Sequence, residues 1–452
     1  MPLAGLPIGK RSALLLDKEN MTKYSISPMS SLYELYLRHP RISTDSRRIE
    51  PDSVFFALRG ASFDGNRFAA DALEKGAAYA VVDDPSLPNT RPDKADRLIV
   101  VDDALQTLQT LAREHRRELG LPILAITGSN GKTTTKELVS RVLAEKYEVY
   151  ATRGNLNNHI GVPLTLLAMT RDVEFGIVEM GASACGEIAL LCSIAEPNYG
   201  IVTNIGRAHL EGFGGPEGVR RGKGELYDWL ARTGGRVFVP ANDPVLMSMA
   251  AERETLAAEC YPTTLADGVE HHLEGDYNRF NVAAAVAVGR YFGVDDERIR
   301  YAVGSYRPDN HRSQKIRTGQ NTLILDCYNA NPSSMQASLV NFRQEPLEGC
   351  TRKILILGDM LELGDWSDAE HRHIISLAAE IPDARILLVG PHFAKAYRSL
   401  ESRPADTTLY PSQEVLAAEL RKHPVSQALI LVKGSHSIGL ERLCLLYTSD
   451  AA

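Results

Sequence analysis

The stretch ILAITGSNGKTTTKELVSRVL, residues 123–143, decides how this chain is read. It opens on an apolar run that reads as a strand. The turn GSNG follows. KTTTKELVSRVL then carries apolar residues at Leu138, Val139, Val142 and Leu143, the spacing of a helical stripe. Strand, glycine turn, Lys-Thr and helix are the context of a phosphate-binding loop. Amides at such a helix start face phosphate oxygens, and the helix dipole adds to their pull. Lys132 is placed to reach the β- and γ-phosphates, and the Thr133 hydroxyl to bind Mg²⁺. One position departs from the general pattern G-x-x-x-x-G-K-[ST]. Ile126 stands where the first glycine belongs, and Gly128 lies closer in. The bland reading is a chance glycine-rich turn, against which the flanking strand and helix argue.

Outward from this stretch the chain falls into three blocks. Residues 24–103 carry short apolar runs, SVFFAL, AAYAVVDD and RLIVVDD, separated by helix-like segments such as RFAADALEKGA. Residues 104–305 open with a helical segment and continue with PILAIT, FGIVEMG, YGIVTNIG and GRVFVP, continuous apolar strands that fit a covered parallel sheet. Residues 306–452 repeat the theme with TLILD, KILILGD, ARILLVG and ALILVKG. The expected fold class is α/β with three domains: a small N-terminal α/β domain, a central P-loop ATPase-like parallel sheet, and a C-terminal Rossmann-like doubly wound domain. Ligands of such sheets bind beyond the carboxyl ends of strands.

The length of 452 residues itself suggests roughly three domains. With 44% hydrophobic and 24% charged residues, the composition is that of a globular protein with sizeable cores. A net charge of −7 argues against nucleic acid as partner, because phosphate backbones want a basic face. The 6 cysteines form no C-x-x-C pair and read as reduced structural thiols. No apolar run approaches the roughly 18–20 residues of a membrane span, and SALLL is too short for a signal-peptide core. A cytoplasmic protein is expected. Residues 1–20 show no clear periodicity and read as an extension or an ill-defined start; the last few residues of CLLYTSDAA are given no functional weight.

TGSNGKTTT resembles the ATP loop of the Mur ligases and folylpolyglutamate synthases, whose form is T-G-[ST]-x-G-K-[ST]-[ST]. The missing glycine is then a family trait. The resemblance implies that Gly128, Ser129, Asn130, Gly131, Lys132, Thr133 and Thr134 bind ATP. IVEMGA places Glu179 at a strand end, where a lone glutamate is by itself usually a solvated charge. In the Mur ligases this setting holds a Mg²⁺-binding glutamate, which would act with Thr133. VTNIGRAHLEGFGGPEGVRRGKGELYDWL resembles the Mur motif T-N-I-x-x-x-H-L-(E/D)-x-[FH]-G followed by K-[GA]-E. By that resemblance His209 assists a second Mg²⁺, and Lys223 reacts with CO₂ to give a carbamate. Without it, Lys223 reads as a solvated lysine. A carbamate turns a cation into an oxygen ligand, whereas bare lysine would repel the metal.

Further segments follow the same family. In GDYNRFNVAAAVAVGRYFGV, Asn278 and Asn281 resemble the asparagines that read adenine; helix capping by Asn278 is the compatible structural reading. RGNLNNHIGVP resembles a substrate loop and offers Asn155, Asn157 and Asn158; otherwise it is a turn. ISTDSRRIEPDSVFFALRGASFDGNRF resembles the domain that holds the UDP-sugar end, through Asp45, Ser46 and Arg47. RPDNHRSQ offers Arg312 as a phosphate-contacting arginine, although His311 stands where glycine is common. LILDCYNANPSSMQASL supplies Asp326 for the ATP ribose and Tyr328, Asn329 and Asn331 for substrate. ILVKGSHSIGLERL adds Lys433 and Ser435, with His436 where arginine is common. DCYNANP together with LGDMLELG marks the branch of the family that adds D-alanyl-D-alanine.

The resemblance therefore implies an ATP-dependent amide ligase. Its substrates would be UDP-N-acetylmuramoyl-tripeptide and D-Ala-D-Ala, joined through an acyl phosphate. ATP and two Mg²⁺ ions would be its cofactors. Lys132, His209, Lys223 and Arg312 would be catalytic, and the chain a monomer. Three other readings stand beside it. A ligase adding the third amino acid typically carries D-N-P-R, which the third block lacks. A folylpolyglutamate synthase does not need the STDSR domain. A non-catalytic nucleotide-binding relative would not need Lys132, Glu179, His209 and Lys223 together.

Overall fold

The computed structural model describes residues 28–273, 275–308 and 314–443. Its strands lie in three large sheets and one short ribbon. The first sheet contains β1 (Arg41–Ser43), β2 (Ser53–Phe56), β5 (Tyr79–Val82) and β6 (Leu98–Val100), in that spatial order and all parallel. Between β2 and β5 the chain makes the ribbon of β3 (Arg59–Gly60) and β4 (Phe63–Asp64).

The central sheet is built from β7 (Ile123–Thr127), β8 (Val149–Ala151), β9 (Phe175–Glu179), β10 (Tyr199–Val202), β11 (Arg236–Pro240) and β12 (Ala257–Tyr261). Its order is β12-β11-β10-β7-β9-β8, all parallel. From β7 the chain steps to the edge strand β8, returns to β9, then crosses to β10 on the other side of β7 and runs outward through β11 and β12. At such a reversal the flanking connections diverge and leave a crevice beyond the strand ends. The third sheet contains β13 (Gln314–Arg317), β14 (Thr322–Asp326), β15 (Arg352–Gly358), β16 (Ala384–Val389), β17 (Thr407–Tyr410) and β18 (Ala428–Lys433), ordered β13-β14-β18-β15-β16-β17. Only its edge strand β13 is antiparallel. These are the α/β layers that the apolar runs predict.

The helical stripe behind the glycine turn is real. The helix Lys132–Ala144 buries Leu138, Val139, Val142 and Leu143 against Ile126 and the alanine-rich helix Asn278–Tyr291. Ile126 is fully buried in that cluster. A glycine there would forfeit roughly 1.5–3 kcal/mol of side-chain burial. The opposite face of the central sheet joins a cluster that crosses into the first sheet. It runs from Val54, Phe56 and Val81 through Leu108 and Leu111 to Ile123 and Val178. The bridge is the helix Ala104–Leu119, capped by the Asp103 side chain and ended by Gly120 in the left-handed region. Two further clusters cover the faces of the third sheet.

Candidate active site

Three neighbouring strands of the central sheet deliver the site at their carboxyl ends: β7 the glycine turn, β9 Glu179 and β10 the segment from Thr203. Gly128 has φ +138°, and a Cβ on it would lie 2.0 Å from Thr203 Oγ1. Gly131 has φ +80°, and a Cβ would lie 2.6 Å from Asn281 Oδ1. Both glycines are therefore required by backbone conformation and by close approach. The turn is held from β10. Thr203 Oγ1 and Asn204 Nδ2 donate to the Asn130 carbonyl at 2.5 and 3.0 Å, and the Asn130 amide donates to Asn204 Oδ1 at 3.1 Å. The Gly206 amide donates to Ser129 Oγ at 2.8 Å. Lys132 curls over the turn, with Nζ donating to the Gly128 and Ser129 carbonyls at 2.8 and 3.2 Å.

Beside this cradle Thr133 Oγ1 donates to Glu179 Oε2 at 2.9 Å, and Asn157 Nδ2 donates to Oε1 at 3.0 Å. Glu179 is only 2% exposed. A buried carboxylate held by a hydroxyl and an amide suits a hard cation. Mg²⁺ commonly takes one or two carboxylates plus substrate phosphates, and among the described residues there is no cage of three or more acidic, His or Cys ligands. Lys223, on the helix Pro216–Thr233, is 1% exposed; its Nζ donates to the Ala182 carbonyl at 3.1 Å and lies 5.1 Å from the Phe213 ring centre. Burial, aided by the positive Lys132, pulls its pKa down to about 7. A neutral amine is the form that attacks CO₂, so the residue suits carbamate formation. His209 pairs through Nδ1 with Glu362 of the third sheet's domain, and burial holds its imidazole below the ordinary pKa.

Two clefts meet here. The first, of about 940 Å³, is lined by Ser129, Asn130, Gly131, Lys132, Thr134, Asn155, Asn157, Asn158, Glu179, His209, Asn278, Asn281, Asp326, Tyr328, Asn329 and Lys433 among others. The second, of about 780 Å³, is lined by Thr133, Asn155, His209, Tyr328, Asn329, Asn331, Ser435 and His436 among others. Most residues read from the sequence thus converge on one junction between the central and third sheets. Lys223 lies behind it, at Ala182. Asp45, Ser46 and Arg47 lie apart, in the loop after β1. Arg47 pairs with Asp45 at 2.8 Å, and Lys75 Nζ donates to the Ser46 carbonyl at 2.9 Å. Arg312 lies outside the described residues.

Several side chains expected to meet ligands also hold the frame. Asn281 accepts from Thr135 Oγ1 at 3.0 Å and donates to Asn278 Oδ1 at 2.8 Å. The helix begins at Asn278, after an N-cap, Tyr277, that makes no side-chain capping bond. Asn158 Oδ1 accepts the Ile160 and Gly161 amides. Asn331 caps the helix Pro332–Gln344 in a capping box with Ser334, and its Nδ2 donates to Asn130 Oδ1 at 2.8 Å. Asp326 accepts from Lys433 Nζ at 2.5 Å and from Ser338 Oγ at 2.7 Å. Ser435 Oγ accepts the Leu361 amide. The His436 ring stacks on Tyr328 at 5.9 Å. Thr203, Asn204, Ser333 and Glu362 are additions. All four stand inside VTNIGRAH, NANPSS or LGDMLELG, but their partners lie in loops distant in sequence.

Family profiles cover this architecture. That of the Mur ligase family, catalytic domain, matches residues 40–116, that of the Mur ligase middle domain residues 126–264, and that of the Mur ligase, glutamate ligase domain, residues 311–436. The chain is 34% identical over 432 residues to the UDP-N-acetylmuramoyl-tripeptide–D-alanyl-D-alanine ligase of Bacillus subtilis, covering 89% of this chain and 92% of that one. The chain belongs to the Mur ligase family. A crystal structure of MurF from Acinetobacter baumannii superposes with a TM-score of 0.78 at 30% identity, over 90% of this chain and 93% of that one. MurF ligase from Thermotoga maritima in complex with ADP superposes with a TM-score of 0.76 at 25% identity, over 91% and 97%.

Proposed function

We propose that this Mur ligase joins D-alanyl-D-alanine to UDP-N-acetylmuramoyl-tripeptide with ATP, the activity for which its Bacillus subtilis relative is named. The observation that carries the reading is the junction itself. A phosphate cradle with a buried Thr133–Glu179 pair faces DCYNANP and LGDMLELG across one cleft. A carboxylate does not acylate an amine at neutral pH, because hydroxide is a poor leaving group. Transfer of the γ-phosphoryl group to the tripeptide's terminal carboxylate gives an acyl phosphate and ADP. The dipeptide amine then attacks the acyl carbon, and phosphate departs with the bonding pair.

The turn amides and Lys132 hold and neutralise the phosphates, and Arg312 is assigned the transferring group. When bound, Mg²⁺ at Thr133 and Glu179, and a second ion at His209 and a carbamylated Lys223, would offset the charge of two converging anions. Asn278, Asn281 and Asp326, which line the larger cleft, are assigned to the nucleotide. Asn155, Asn157 and Asn158 are assigned to the acyl end. Tyr328, Asn329, Asn331, Lys433 and Ser435 are assigned to substrate. Residues 24–103, with Asp45, Ser46 and Arg47, would hold the UDP-sugar, residues 104–305 ATP, and residues 306–452 the incoming amine. Among the described residues no helix is long and apolar enough to cross a membrane. We place the reaction in the cytoplasm, where ATP is available, and on a monomer. The test is ADP release with UDP-tripeptide plus D-Ala-D-Ala, with a single amino acid, or with neither. The reading requires release with the dipeptide alone. Carbamylation is read crystallographically at Lys223 with bicarbonate present, and plain lysine density would count against it.

A further inference from the structure

Glu362 lies on the loop after β15, yet its carboxylate pairs with Nδ1 of His209, 153 positions away and beyond β10 of the central sheet. Both residues hold left-handed backbone, φ +51° at His209 and +60° at Glu362. Non-glycine residues persist there only where their surroundings over-determine them. The surroundings do so from both sides. The Glu211 amide donates to the Glu362 carbonyl at 3.2 Å, and a Cβ on Gly364 would lie 3.2 Å from Glu211 Cβ. Behind the loop, the fully buried Asp359 carboxylate accepts the His392 and Phe393 amides at 2.9 and 2.8 Å. His371 Nε2 accepts the Met360 amide at 3.1 Å, and Ser435 Oγ the Leu361 amide at 3.2 Å. Residues 359, 360 and 361 are thus each anchored, and Glu362 is presented to the neighbouring domain.

We infer that Glu362 is a positioning residue that sets the ring orientation and tautomer of His209, and does so only while the third sheet's domain is docked on the central one. The inference rests on the ligase reading of His209. A carboxylate can only accept, so Nδ1 carries the shared proton and Nε2 is left with its lone pair. His209 lines both clefts. Docking therefore completes the site as well as covering it. Docking has other supports: the Arg207–Glu370 ion pair, Arg207 over the Trp366 ring at 5.8 Å, and Leu210 and Phe213 in the third sheet's apolar cluster. Removal of the Glu362 side chain leaves these in place.

The experiment compares Glu362→Ala, Glu362→Gln and Arg207→Ala in the full chain. It reads Mn²⁺ affinity by electron paramagnetic resonance with an ATP analogue and UDP-tripeptide, kcat and KM, and small-angle scattering. Glu362→Ala is expected to lower Mn²⁺ affinity and kcat by about 10–100-fold with scattering unchanged. Glu362→Gln, whose amide oxygen still accepts from Nδ1, should recover most of both. Arg207→Ala should open the molecule and raise KM while kcat at saturation persists. Wild-type Mn²⁺ affinity and kcat in Glu362→Ala would overturn the inference, as would a loss that tracks opening alone. Mn²⁺ affinity is read without turnover, so it tests Glu362 separately from the identity of the amine, which wild-type ligation tests.

Discussion

Lys132 rests on the carbonyls of its own turn, contacts that a phosphate group would replace. Lys132→Ala is expected to lower kcat by roughly 10²-fold or more, the scale of losing one electrostatic stabiliser, measured as phosphate release with all three substrates. Near wild-type turnover would remove the phosphate-loop assignment. Lys132 and Thr133 are legible in the sequence because strand, turn and helix are contiguous, whereas Glu179 needed the family resemblance, since a lone glutamate at a strand end reads as a solvated charge. The asparagines are less legible. Asn158 and Asn331 look like ligand contacts in sequence, since an amide in a polar loop reads the same whether it caps a helix or meets a substrate. Here Asn331 caps a helix and Asn158 holds the Ile160 and Gly161 amides of its own loop, although both also line the clefts. Glu362 was out of reach for another reason: its partner is 153 residues away, and only the packed domains bring them together.

Two helices show what single elements contribute. Asn331 both caps the helix Pro332–Gln344 and bonds Asn130 of the phosphate turn. Asn331→Ala should cost about 1 kcal/mol from the lost cap, lowering the Tm of the third sheet's transition by roughly 2–4 °C, and should weaken nucleotide binding as well. An unchanged Tm would show that the cap is dispensable. On the helix Ala104–Leu119, His115 is buried between Tyr33 and Tyr36. It contacts Tyr33 Oη through Nδ1 at 3.1 Å and the Met169 carbonyl through Nε2 at 2.8 Å. Burial lowers its pKa below the ordinary 6.5. The unfolded chain then binds more protons between that value and the depressed one, so this contribution is intact above 6.5 and is lost as pH falls through the folded pKa. Thermal melts from neutral pH down to about 5 should fall more steeply for the wild type than for His115→Gln; equal slopes would exclude His115. The helix itself was legible from its pattern. Its role as a bridge between two sheets was not, because an apolar stripe does not say which layers it will join.

For the whole molecule, both clefts open between the central and third sheets, so ligands must enter with these domains apart and be enclosed afterwards. Small-angle scattering should show contraction on adding an ATP analogue and UDP-tripeptide together; curves unchanged by both would argue against closure. The apolar clusters carry a different consequence, for heat. One cluster is continuous from the first sheet through Leu108 and Leu111 into the central sheet, whereas the third sheet is covered on both faces by its own. Leu210, Phe213 and Val219 are buried central-domain side chains in the third sheet's cluster, with Ala182 and Ile205 packed against it. Calorimetry should therefore resolve two unfolding steps, the first and central sheets melting as one unit and the third separately. A single sharp endotherm would mean that those three side chains weld the halves thermally. With two steps, no one melting temperature describes this enzyme, and a nucleotide that bridges the halves would draw the two transitions together.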